Sequence, residues 1–347
     1  MSIENFHSEL TFKTALAFTN INNTIVKDIR IANLIIRLRF AGDAMFSSIF
    51  PAFKHISVSS EILIPDYTIN IWDSLSTNVD FPKIPCSIKE IEIRGELRGY
   101  NSDEFESCYS THSRMLSTIH HPSKVGNVCL MGDVKIPAFE VASPLRGIMH
   151  WILRRNKMVL LHTASVGTSM GSVLIAGRGG VGKSSTALRC LIAGMNYYGD
   201  DICGLSVQNG VPIINSLYCS GKVLSTDYLN FTEMENFIFK HNETDYNKEV
   251  FLLNDFISKR ENSHLITAII IPYQNNSLEI GFEKISFAKA LSIICSSSKF
   301  LLPGAGDEIF QVFSKVIKII PCFQFNLGGN PKLIPEKINS LITSLRN

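Results

Sequence analysis

The chain predicts an α/β protein in two parts, a β-rich N-terminal module over residues 1–140 and an α/β module over residues 141–347. Three observations predict it. Before residue 140, apolar residues recur with period two or in short runs. After residue 142, strand-like runs alternate with helix-like ones. At 173–192 an apolar strand runs through a glycine-rich loop into a helix-forming stretch. The 347 residues are 45% hydrophobic and 18% charged, enough apolar material for two cores and too much for a disordered chain.

In the first module, NLIIRLRF (33–40), YTINIW (67–72) and KEIEIRGEL (89–97) read as strands, and DAMFSSIFPAFKHI (43–56) as a helix. From Arg98 to Asn127 the chain turns polar, with many Ser and His, and reads as a long loop, a set of short hairpins or a mobile flap. In the second module, Ser143-Pro144 reads as an N-cap followed by proline at the first helical position, opening PLRGIMHWILRRN. KMVLLHTAS (157–165) and GSVLIAG (171–177) follow as strands, STALRCLIAG as a helix closed by Gly194, and NYYGDDICGLSV (196–207) as a strand. Further strands are expected at 249–253, 265–272 and 322–327. Helices are expected at 286–297, 306–320 and 335–345.

Lys and Arg total 33 against 31 Asp and Glu, a net charge of +2, which lacks the basic excess of a dedicated nucleic-acid binder. The start, MSIENFHSELTF, shows no basic-then-apolar signal pattern, and no run of about 18 apolar residues occurs. A cytoplasmic protein without membrane partners is expected. The eight cysteines contain no CxxC pair and read as reduced thiols. His112 and His120-His121 lack acidic or Cys partners at metal-ligand spacing.

The sharpest signal is VLIAGRGGVGKSST (173–186), where Gly177 is followed after four residues by Gly182-Lys183-Ser184. Glycines let backbone N–H groups converge on phosphate oxygens, and the N-terminus of the following helix adds unpaired donors. The candidate phosphate-binding residues are therefore Gly177, Arg178, Gly179, Gly180, Val181, Gly182, Lys183, Ser184 and Ser185. Lys183 supplies a cation for the β- and γ-phosphates of ATP, and the Ser184 hydroxyl a ligand for Mg²⁺. Gly177, Gly179 and Gly182 also spell the dinucleotide pattern G-x-G-x-x-G, with Asp200-Asp201 at the distance of its acid. That pattern leaves Lys183 and Ser184 unused.

Asp200 and Asp201 lie at a strand start or in the turn leading into it. Adjacent strand side chains point to opposite faces, so one of the two would face a substrate, and burial beside a like charge would raise one pKa toward that of a proton acceptor. His162, inside the apolar run MVLLHTAS, reads by itself as a hydrogen-bonded core residue.

The stretch HTASVGTSMGSVLIAGRGGVGKSSTALRCLIAGMNYYGDD, His162 to Asp201, resembles without a gap the catalytic core of the HPr kinase/phosphorylase family, with the same intervals from histidine to loop lysine and from lysine to aspartate pair. LRFAGDAM, INIWDS, SPLRGIMHWIL and IIPCFQFNLGG extend a looser likeness to divergent HPr-kinase-like proteins, including lasso-peptide precursor kinases. The resemblance implies a P-loop kinase fold related to phosphoenolpyruvate carboxykinase and phosphorylation of a serine hydroxyl on a peptide or protein, such as a precursor peptide. It implies roles as well. Lys183 and Ser184 hold Mg-ATP, Asp201 accepts the hydroxyl proton, His162 supports Asp201, and Asp200 orients the metal. Where that family has a motif Glu, this chain reads IINSLYCSGKVLST, with Lys222 as a cation instead. HPr as acceptor and the reverse phosphorolysis therefore do not carry over. A small-molecule kinase and a nucleotide-binding regulator are the alternatives, and a homo-oligomer is left open. Acceptor recognition is expected of the N-terminal module, through an open strand edge.

Overall fold

A computed structural model describes residues 1–59, 64–132, 135–241, 247–257, 261–275, 277–298, 302–316 and 318–346. It is a mixed α/β structure that divides into two units, Met1–Ile152 with Leu302–Gly304, and Leu153–Leu301 with Ala305–Asn347.

The first unit opens with a helix that the sequence reading omitted, α1 (Ile3–Asn20), capped by the Ser2 hydroxyl, which accepts from the Asn5 N–H at 3.2 Å. Its buried stripe is Phe6, Leu10, Thr14 and Ala17, while Phe12 and Leu16 face outward. Those two exposed apolar residues blur the helical period. The strands are β1 (Thr24–Ile31), β2 (Leu34–Ala41), β3 (Ser57–Val58), β4 (Tyr67–Asp73), β5 (Phe105–Ser110), β6 (Met115–His120) and β7 (Val125–Leu130), in the order β3-β1-β2-β4-β7-β6-β5. β2–β4 and β4–β7 are parallel, and the other pairs antiparallel. Of the readings left open for 98–127, the short hairpins are the one observed, as β5–β6 and β6–β7. Glu106, Ser107, Ser117, Thr118, His121 and Asn127 are buried along these strands, while the connecting turns are exposed. Short helices α2 (Asp43–Ile49), α3 (Ser74–Thr77) and α4 (Ala138–Ala142) complete the unit, together with α5 (Arg146–Arg155), in which it ends. α5 begins two residues after Pro144, because Leu145 takes a left-handed φ of 57° in the intervening turn. Phe6, Leu10, Trp72, Tyr109 and Leu116 form the core beneath α1.

In the second unit, KMVLLHTAS is two strands, β8 (Met158–Leu161) and β9 (Thr163–Thr168), broken at His162. NYYGDDICGLSV is likewise two, β11 (Asn196–Gly199) and β12 (Cys203–Gln208), broken at the aspartate pair. With β10 (Gly171–Ala176), β13 (Val211–Asn215) and β17 (Ser263–Tyr273) they form the run β11-β9-β10-β17-β13-β12-β8. β18 (Gly281–Lys284) and β19 (Cys322–Asn326) extend that sheet through β17. The buried strand β10 lies parallel to β17, as a βαβ arrangement requires. A second, three-stranded sheet runs β14 (Ser220–Leu224), β16 (Lys248–Leu252), β15 (Ile238–Phe239). Helix α6 (Lys183–Ile192) buries Ala187, Leu188 and Leu191 in a core shared with Val173, Ile175 and Phe251. It ends before Gly194, whose φ of 84° suits glycine at a helix terminus. Helices α7 (Phe287–Ser298), α8 (Asp307–Val316) and α9 (Ile334–Ser344) match the expected ones in place, with residue 317 outside the described residues.

Candidate phosphoryl-transfer site

β10 delivers the chain to the glycine loop, and α6 begins at Lys183. Gly177, Gly180 and Gly182 have φ of 149°, 79° and 97°, a region costly for any residue with a Cβ. Packing adds to this at two of them. A Cβ on Gly177 would lie 2.8 Å from Val181 Cγ2, and one on Gly182 2.7 Å from Leu327 Cδ1. At Gly179 and Gly180 a Cβ would meet nothing within 4 Å, and these residues and Arg178 are exposed. The loop is therefore fastened at its ends and open along its middle. No side chain caps α6, so the N–H groups of its first turn, which includes Ser184 and Ser185, have no side-chain acceptor at the cap.

Lys183 is buried, and its ammonium donates back to the carbonyls of Gly177 at 2.8 Å and Arg178 at 3.0 Å. Burial lowers its pKa below the ordinary lysine value, and the charges of Asp200 and Asp201 oppose that shift. The Ser184 hydroxyl donates to Asp200 Oδ1 at 2.9 Å. Asp200 is 1% exposed and also accepts the Lys222 N–H at Oδ2, 3.1 Å away. Its pKa is raised, first by burial and then by the negative charge of Asp201.

Strand alternation does not apply to the acid pair. Asp201 stands in a turn with φ of 68°, a conformation Asp tolerates better than most residues. That turn brings both carboxylates to Lys222 on β14, whose backbone N–H holds Asp200 and whose ammonium forms an ion pair with Asp201 Oδ2. His162 sits at the break between β8 and β9, not in a continuous strand. Its N–H donates to Ser298 Oγ at 3.0 Å, and its Nδ1 lies 3.9 Å from Asp201 Oδ1. The site thus gathers Lys183, Ser184, Asp200, Asp201, Lys222 and His162. The sequence reading missed Lys248 on β16, whose charge acts on both His162 and Lys183, and Ser298. Neither carries a local sequence signal, since cross-sheet pairing and a helix end place them.

Among the described residues, no three His, Cys, Asp or Glu side chains gather as a metal site. The hydroxyl–carboxylate pair of Ser184 and Asp200 nonetheless suits Mg²⁺, a hard cation that completes its shell with water and phosphate oxygens. The exposed loop middle, uncapped helix and buried lysine suit a polyphosphate.

Burial lowers the His162 pKa from 6.5 to about 4, with the lysines reinforcing the shift and Asp201 opposing it. In the first unit burial likewise lowers His7 to about 4. Both imidazoles are therefore neutral at pH 7. Between pH 6.5 and 4 the unfolded chain takes up protons that the folded chain refuses, so stability falls as pH drops through that window. Denaturant melts from pH 4 to 7 are expected to show this, and His162→Gln is expected to flatten the dependence while leaving the share due to His7.

No family model matches the chain, and no curated protein matches it. Among solved structures, the HPr(Ser) kinase/phosphatase from Coxiella burnetii is similar at 14% identity, over 54% of this chain and 99% of that one, with a TM-score of 0.32.

Proposed function

We propose that the second unit is an ATP-dependent phosphotransferase that moves a phosphoryl group to a hydroxyl, the serine of a peptide or protein acceptor. One observation carries the reading. The helix-capping loop, its lysine and the Ser184–Asp200 pair meet a second carboxylate, Asp201, held at one oxygen by Lys222 with its other oxygen turned toward His162. A nucleotide-binding regulator would need the first three and not the last.

In this reading Lys183 leaves the carbonyls of Gly177 and Arg178 for phosphate oxygens, and the loop N–H groups hold the remaining charge. Ser184 and Asp200 would hold Mg²⁺, which neutralises charge on the phosphate oxygens. Asp201 Oδ1 accepts the proton of the attacking hydroxyl. Lys222 keeps Oδ2 occupied, so the carboxylate presents one oxygen in one orientation. Neutral His162 faces the same Oδ1 and fixes its direction.

Incubation of the full chain with Mg-ATP and an array of serine-containing peptides is expected to yield phosphoserine. ATP binding by calorimetry with no labelled peptide or protein acceptor would overturn the kinase reading. Lys222 supplies a second test. Lys222→Met is expected to move the acidic limb of the pH–rate profile to higher pH, because the Asp201 carboxylate loses its buried counter-ion. A profile that only drops in height would make Lys222 a phosphate contact instead.

A further inference from the structure

The face of the first unit's sheet beneath α1 carries a polar row where an apolar one is the rule. By register, Arg39, Asn70, Asn127, Thr118 and Ser107 stand side by side across β2, β4, β7, β6 and β5. Arg39 donates to Asn70 at 3.1 Å, Asn70 to Asn127 at 3.1 Å, and His7 of α1 pairs with Ser107 at 3.0 Å. The Thr118 hydroxyl, in a residue 1% exposed between Ser107 and Asn127, has no hydrogen-bond partner among the described residues.

A trough of about 580 Å³ reaches this row at Asn127. Glu4, Ser8, Thr11 and Ala15 form one wall, an i, i+4, i+7, i+11 stripe along α1. At 1.5 Å per residue the stripe is about 16 Å long, the span of about five residues of extended chain. On the opposite side stand Asn127, whose Oδ1 accepts from Asn70, and Ser123, whose hydroxyl pairs with His120; an amide and a hydroxyl each have capacity for a further bond to a peptide backbone. Phe105 lies between His7 and His120, with ring centroids at 4.3 Å and 4.6 Å, and Phe12, 69% exposed, lines the same trough. Glu4 is the trough's one carboxylate, and no Lys or Arg lines it among the described residues. Strand addition does not compete at the β5 edge, where Glu96 bridges Cys108 and the Tyr109 N–H already donates to Gly95.

We propose that this trough binds an extended peptide segment of about five residues, free of acidic side chains and carrying one aromatic side chain, and that the segment belongs to the phosphate acceptor. The aromatic ring packs on exposed Phe12 and along the edge of the His7–Phe105–His120 stack, while backbone amides meet Asn127, Ser123 and the helix hydroxyls. The assignment to the acceptor rests on the phosphotransferase reading; the peptide site does not.

The test is selection of a displayed random-pentapeptide library on the full chain, followed by fluorescence polarisation with the enriched peptide. Enrichment of aromatic sequences without Asp or Glu is expected. Ser8→Trp, an exposed substitution that fills the trough, is expected to weaken binding about tenfold or more, a change of about 1.4 kcal/mol. Ala15→Trp repeats the test at the other end should Ser8→Trp fail to fold. Lys183→Ala is expected to leave peptide affinity unchanged. Failure to enrich any sequence, acidic winners, or binding indifferent to both tryptophans overturns the site. Trough-dependent binding by a chain that transfers no phosphate would retain the site and discard the kinase reading.

Discussion

Lys183→Ala is expected to reduce phosphoryl transfer by about 10³-fold or more and to weaken ATP binding as well. Lys183 is the cation that the glycine loop itself positions, and it is buried with its ammonium on the carbonyls of Gly177 and Arg178. A buried ammonium is poorly solvated, so exchanging two carbonyls for phosphate oxygens gains more than the same contact would in water. Transfer of ³²P from γ-labelled ATP and calorimetric titration of ATP measure the two parts. Lys183→Arg is expected to recover binding better than transfer, since a planar fork cannot occupy the ammonium's place within the loop. Full transfer by Lys183→Ala would refute the assignment of the loop.

Asp201→Asn is expected to keep Mg-ATP affinity within a few-fold and to lose about 10²–10⁴ in turnover, the usual share of a positioned general base. The separation follows from the two carboxylates' partners. Asp200 is tied to Ser184, the pair proposed to hold Mg²⁺, whereas Asp201 is tied to Lys222 and faces His162. Asp200→Asn is therefore expected to act oppositely, weakening Mg²⁺ dependence first. It is also expected to raise the thermal midpoint of the nucleotide-free chain, because burial and Asp201 disfavour the Asp200 charge. Single-turnover and equilibrium-binding measurements on both variants separate chemistry from affinity. Loss of affinity with retained turnover in Asp201→Asn would make Asp201 the metal ligand.

The loop was legible because everything that makes it a loop is local. Gly177, Gly180 and Gly182 adopt backbone angles that glycine accepts freely, β10 before them is continuously apolar, and α6 after them begins at Lys183. The second unit's later strands and helices were legible for the same reason, each being a periodic run longer than its competing signals. Local reasoning failed where a residue's neighbours come from elsewhere in the chain. The polar segment after Arg98 carries no apolar period, which leaves loop, hairpins and flap open for it; it pairs as β5, β6 and β7, with Ser107, Thr118 and Asn127 buried on the face toward α1.

The candidate site divides along the same line. The amino-acid order by itself determined the loop's glycines, its lysine and serine, and an acid pair within reach along the chain. It did not determine where Asp201 points. That follows from a left-handed turn that breaks β11 from β12, and from the pairing of β14 with β16 that brings Lys222 to both carboxylates. His162 changed from a core residue to a neighbour of Asp201 because β8 and β9 pair with different partners, β8 with β12 and β9 with β10 and β11, and the chain must break between them. Backbone angles at glycine depend on one residue. An ion pair between residues 201 and 222 depends on a fold that holds both strands, and no local pattern encodes it.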